Sequence, residues 1–135
     1  MAETFQLEIA TPNRLLVSEQ VAEAQIPAAA GYIGVLPLHS PLLTLLGTGE
    51  LTYTVDGRKR ALAVSGGFVE VLPHHVRVLA EHAERADEID IERARQALTR
   101  AEARLKDPRE QHVDIARALH ALQRAQARLE AAEDR

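Results

Sequence analysis

With 135 residues and a net charge of −4, the chain has room for one domain, or for a small domain and an appendage, and no broad basic face for nucleic acid. It contains no cysteine, which excludes disulfides, thiolate catalysis and cysteine-based metal sites. Its 46% apolar content includes only Phe5, Tyr32, Tyr53 and Phe68 as aromatics, so the core is expected to be aliphatic. No run of about 18 apolar residues is present to span a bilayer. The first dozen residues lack the charged and apolar regions of a secretory signal. The expectation is a soluble intracellular protein with no direct membrane insertion.

In chain order, Phe5, Leu7 and Ile9 alternate with Gln6 and Glu8, the period of a half-buried strand. Thr11-Pro12-Asn13 reads as a turn. Leu15 to Val17 and Val21 to Ile26 read as two further strands. The stretch from Gly31 to Pro41 holds two glycines, two prolines and several apolar residues. A rigid apolar loop of that kind suits a docking edge as well as an ordinary sandwich corner. Leu51, Tyr53 and Val55 alternate up to Asp56-Gly57, a dipeptide suited to a tight hairpin. Ala61 to Val64 returns, Gly66-Gly67 is expected to break the strand, and Phe68 to Leu72 continues. Pro73-His74-His75 turns into Val76 to Leu79. Many short strands at close spacing point to a β-sandwich.

The grammar changes near residue 80, and the boundary falls at about residues 81 to 89. All seven glycines lie at or before Gly67, and the absence of glycine beyond it permits long helices. The segment from Asp90 to Leu105 recurs from Asp114 to Leu129, with 11 of 16 positions identical at an offset of 24. Each copy opens on an aspartate, a favoured N-cap. Pro108 lies in the short connection and is expected to keep the helices from merging. An antiparallel hairpin follows. Its seam consists of Ile91, Ala94, Leu98, Ala101 and Leu105 against Ile115, Ala118, Leu122, Ala125 and Leu129. So thin a seam leaves only a few kcal/mol after ordering entropy. A clasp that changes conformation and a permanently folded pair are both compatible with it.

Arg93, Arg100 and Arg104 fall within about 40° of helical arc, and Arg117, Arg124 and Arg128 repeat the spacing. Guanidinium forks suit phosphate or carboxylate. The row could hold a polyphosphate, meet an acidic helix of a partner, or form a solvated face paired with Glu92, Glu102 and Glu130. The histidines, at positions 39, 74, 75, 82, 112 and 120, are scattered, with no metal-site spacing. There is no phosphate-cradling glycine loop, no nucleophile elbow at Ser65-Gly66-Gly67 and no framed carboxylate pair. Nothing supports an enzyme. A free-standing ATP-sensing module built on the hairpin arginines is one reading of the row.

Three motifs bring a family into view: Gly31 to Pro41 as G-x-x-G-V-L-P-x-H-x-P, Ser65 to Val71 as SGGFVEV, and Ala83 to Asp90 as AERADEID. With them the chain resembles, over nearly its whole length, the epsilon subunit of bacterial F-type ATP synthases. The resemblance implies an α+β chain: a sandwich of about ten short strands over residues 1–84, then a helical hairpin over residues 85–135. It implies a non-catalytic place in the rotor's central stalk, peripheral to the cytoplasmic face of the bacterial inner membrane. The partners would be the gamma subunit, the c-subunit ring and the beta subunit, and the isolated chain would be a monomer. In the family the Gly31–Pro41 loop faces the c-ring, so Gly31, Tyr32, Gly34, Pro37, His39 and Pro41 are candidate contacts. An extended hairpin blocks ATP hydrolysis, with Arg117, Arg124 and Arg128 as candidates to meet an acidic segment of the beta subunit. The break at Pro108 would persist in that extended state. Some members bind ATP in the folded hairpin through an I/L-D-x-x-R-A motif, matched by Ile89, Asp90, Arg93 and Ala94. The further positions fall on Glu84, Arg100, Arg124 and Arg128. ATP would thus be a regulatory ligand, with no cofactor required.

Overall fold

Alternation decides the first strand: Phe5, Leu7 and Ile9 are buried while Gln6, Glu8 and Ala10 are half-covered. In the computed structural model, which describes residues 3–107, 109 and 114–134, this is β1 (Phe5–Ala10). It is followed by β2 (Leu15–Val21), β3 (Glu23–Ala28), β4 (Gly31–Val35), β5 (Leu42–Leu45), β6 (Thr48–Val55), β7 (Arg58–Val71) and β8 (His75–Arg85). A 3₁₀ turn (Ala86–Glu88) leads into α1 (Ile91–Lys106) and α2 (Ile115–Glu133). The β6–β7 hairpin closes on Asp56 and Gly57, both at positive φ (50° and 75°), the geometry that matches the strands' twist.

Eight strands appear among the described residues, against the ten or so expected, because two of them are long. Gly66-Gly67 does not end a strand. β7 runs through the pair for 14 residues, with Ser65 opposite His82 and Gly67 opposite Ala80 in one register. Positive φ at both glycines (70° and 117°) twists the strand without cutting it. The buried set changes parity there, from Leu62 and Val64 to Val69 and Val71. The ladder thereby folds from one layer to the other. One layer holds β2, β1, the first half of β8, the second half of β7, and β5; the other holds the remaining halves with β6, β3 and β4. Aliphatic side chains with Phe5 and Tyr53 fill the space between.

Asp90 and Asp114 cap their helices as expected, each carboxylate accepting from the backbone N–H three residues on at 3.1 Å. The seam is built as anticipated, but its alanines carry the burial. Ala94, Ala101, Ala118 and Ala125 are covered, the leucines half-covered, and Ile115 exposed. A second stripe on α2 seats the hairpin on the sandwich. Ala127, Ala131 and Ala132 pack against Ala61 and Ala63 of β7, beside Ala86 and Ile89. The connection at Pro108 lies outside the described residues.

Candidate functional site

A cleft of about 600 Å³ opens where the hairpin crosses the sandwich, a size common for small-molecule sites. The β1–β2 turn supplies Thr11, Asn13 and Arg14; β7 and β8 supply Ser65, Glu81, His82 and Glu84; the helices supply Arg100, Arg124 and Arg128. Small residues, Ala97 on α1 and Ala121 and Ala125 on α2, keep the helical wall recessed. Four guanidiniums therefore face one space with two carboxylates.

These four are not equivalent. Arg14 donates from both terminal nitrogens to the Glu88 carboxylate, at 2.9 and 3.0 Å. That pair of bonds holds the Glu88 carboxyl below its usual range. Glu88 also lies 3.4 Å from Arg85 Nε, and Arg85 donates to the Leu16 carbonyl oxygen at 2.6 Å. Arg128 Nε stands 2.8 Å from Glu84 Oε1 without being aimed for a hydrogen bond. Arg100 and Arg124 have no ion pair or side-chain hydrogen bond among the described residues. Two guanidinium forks are thus open to an oxyanion, and a third is held by one carboxylate.

Of the eight residues marked for ATP, Glu84, Arg100, Arg124 and Arg128 line the cleft. Ile89 is buried in the alanine cluster, Ala94 lies in the helix seam, and Asp90 caps α1. Arg93 is exposed and outside the cleft, as are Arg104 and Arg117. Among the described residues no arginine pairs with Glu102 or Glu130, and Arg95 and Glu92, at 3.8 Å, make the one within-hairpin ion pair. Arg14 went unmarked in the sequence. Its number is remote from both helices, and no spacing rule connects a β-turn with a helix face.

The loop candidates divide. Gly31, Tyr32 and Gly34 belong to β4. The Tyr32 oxygen accepts the Glu50 N–H at 3.1 Å, directly over Gly49, where a Cβ would lie 2.6 Å from it. Pro37, His39 and Pro41 lie in the following loop, where Leu38 donates to the Pro73 carbonyl at 2.9 Å. This joins the loop to the β7–β8 turn, and exposed Leu36, Leu38 and Leu72 share that end of the sandwich.

A second apolar surface crosses the face opposite the helices. Register aligns Leu45 with Phe68, Phe68 with Leu79, Leu79 with Ala10, and Ala10 with Leu15. Leu45, Phe68, Leu79 and Leu15 are each more than half exposed. A contiguous apolar stripe of this kind is a candidate binding face.

Comparison with known proteins agrees with this architecture. Residues 4–86 match the model of the ATP synthase delta/epsilon chain β-sandwich domain, and residues 87–133 match that of its long α-helix domain. The chain is 61% identical to the ATP synthase epsilon chain of Solibacter usitatus over 108 residues, covering 80% of this chain and 81% of that one. It is 51% identical to the epsilon chain of Koribacter versatilis over 106 residues, covering 78% and 75%. Among solved structures it superposes on a chain from the Euglena gracilis mitochondrial ATP synthase (OSCP, F1 and c-ring) with a TM-score of 0.82 at 30% identity, covering 97% of this chain and 82% of that one. No helix among the described residues is long and apolar enough to cross a membrane. Sandwich, hairpin and sequence matches over both parts together establish that the chain belongs to the ATP synthase epsilon chain family.

Proposed function

We propose that this chain is a non-catalytic rotor subunit whose hairpin restrains ATP hydrolysis when it leaves the sandwich, and that ATP in the arginine cleft holds it down. The observation that carries this reading is the cleft itself. Its walls come from both the sandwich and the hairpin, so a ligand spanning them stabilises the docked form by RT ln(1 + [L]/Kd). Arg100 and Arg124 supply open forks for phosphate oxygens. Arg128 would exchange Glu84 for the ligand. Ile89, Asp90, Arg93 and Ala94 act by setting the start of α1. In the undocked form Arg117, Arg124 and Arg128 are released toward an acidic segment of the beta subunit.

Assembly follows from the apolar surfaces. The Phe68–Leu79 face receives the gamma subunit, and the end carrying Pro37, His39 and Pro41 approaches the c-ring. The chain then sits peripherally at the cytoplasmic face of the bacterial inner membrane, held through the complex. Deleting residues 88–135 tests the regulatory part. The ATPase rate of the assembled complex is expected to rise with assembly retained; an unchanged rate removes that part.

A further inference from the structure

The far end of α2 meets the sandwich through two acids. Glu50 on β6 is half-buried, and its Oε2 is sealed from solvent with no hydrogen-bond donor among the described residues. The group it faces is the carboxyl of Asp134, one residue beyond α2. Lys59 of β7 lies 3.2 Å from the other side of Asp134. Glu130 of α2 adds a further negative charge nearby, and Tyr32 of β4 has its oxygen committed to the Glu50 backbone. One lysine therefore serves three carboxyl groups. Two facing carboxylates with no donor between them repel, whereas one proton between them makes a hydrogen bond.

We infer that the hairpin docks with a proton shared between Glu50 and Asp134, so that release of the end of α2 is linked to proton loss. This does not depend on any ligand in the arginine cleft, which lies elsewhere on the hairpin. Burial first, and Asp134 second, push the Glu50 carboxyl up to about 8 in the docked form, while Asp134 is held below its usual range by Glu50 and Lys59. Undocking removes Asp134 and returns Glu50 to water at an ordinary value. The docked state thus binds the extra proton. Docking weakens as pH rises from the ordinary carboxylate range to about 8 and is flat above it; at the acid end the lowered Asp134 works the other way, its share being lost as pH falls through that lowered value. The window covers neutral pH.

The test is a carbon-detected NMR titration of the Glu50 carboxyl in the full chain, with the exchange protection factor of the Ala131 amide followed in parallel. The expected midpoint lies near 8, and protection is expected to fall by up to about tenfold per pH unit between 6 and 8. E50Q supplies a permanent donor to Asp134, so its protection is expected to be independent of pH over that range. D134N is expected to return the Glu50 midpoint toward the ordinary carboxylate range. An ordinary midpoint in the wild-type chain while Ala131 remains protected overturns the proposal. So does an E50Q slope equal to that of the wild type. The wild-type titration decides even if a variant folds poorly.

Discussion

Arg128 on α2 and Glu84 on β8 stand 2.8 Å apart across the cleft, joining hairpin and sandwich through one side chain from each. Both groups are partly exposed, so the pair by itself contributes little to stability. Its weight is in competition: an anion entering the cleft takes Arg128 only by displacing Glu84. Replacing Glu84 with Gln is therefore expected to tighten ATP binding a few-fold. Replacing Arg100 or Arg124 with Ala is expected to weaken it about tenfold or more each, the usual cost of one charge-assisted contact. Isothermal calorimetry on the full chain checks both directions.

The alanine interface gives a second prediction. Ala131 is fully buried against β7, and a larger side chain has nowhere to go. Ala131→Leu is expected to destabilise docking by about 1–3 kcal/mol. Hydrogen exchange would show α2 deprotected while β1 and β8 keep their protection. Equal loss in strands and helix would mean that the two parts unfold as one.

A third prediction concerns the 3₁₀ turn between the sandwich and the hairpin. The Glu88 carboxyl is depressed by the Arg14 hydrogen bonds. Its contribution is therefore present above the ordinary carboxylate value and is lost as pH falls through the lowered one. E88Q should melt slightly below the wild type at pH 7, with the difference closing as pH falls through that lowered value. The group is solvent-exposed, so an effect of only a few tenths of a kcal/mol is expected.

Gly67 supplies the fourth. Its φ of 117° suits glycine, and a Cβ there would overlap the Leu79 carbonyl oxygen. Gly67→Ala is expected to cost roughly 1–3 kcal/mol from backbone strain alone, with more from the overlap. Urea titration should show a lower midpoint at an unchanged slope.

The fifth prediction addresses assembly. Phe68 is more than half exposed and lies outside the core. Phe68→Asp is expected to leave the melting temperature of the isolated chain nearly unchanged while abolishing co-elution with its gamma subunit. Retained co-elution would remove the Phe68–Leu79 face from the proposed assembly.

Local chemistry made much of this fold readable in advance. Alternation named β1, Asp56-Gly57 named a hairpin, and Asp90 and Asp114 named two helix starts. What escaped depended on distance or on ambiguous residues. Gly66-Gly67 looks like a stop because glycine ends strands more often than it twists them. Ala127, Ala131 and Ala132 were invisible as a docking stripe, since alanine is also the default helix former. Arginine spacing grouped six guanidiniums as one row, but the sandwich lies across the middle of the hairpin and only Arg100, Arg124 and Arg128 line the cleft, with Arg93, Arg104 and Arg117 outside it. Arg14 joins them from a turn more than eighty residues earlier.

The crossover of β7 at Gly66-Gly67 also separates two jobs in space. Before the glycines its outward side chains are Ala61 and Ala63, beneath the helices; after them it is Phe68, on the opposite surface. A neighbour gripping the Phe68 side holds the body without touching the arm. On the proposed function, the arm would then swing, shorten or vanish without that grip having to be rebuilt.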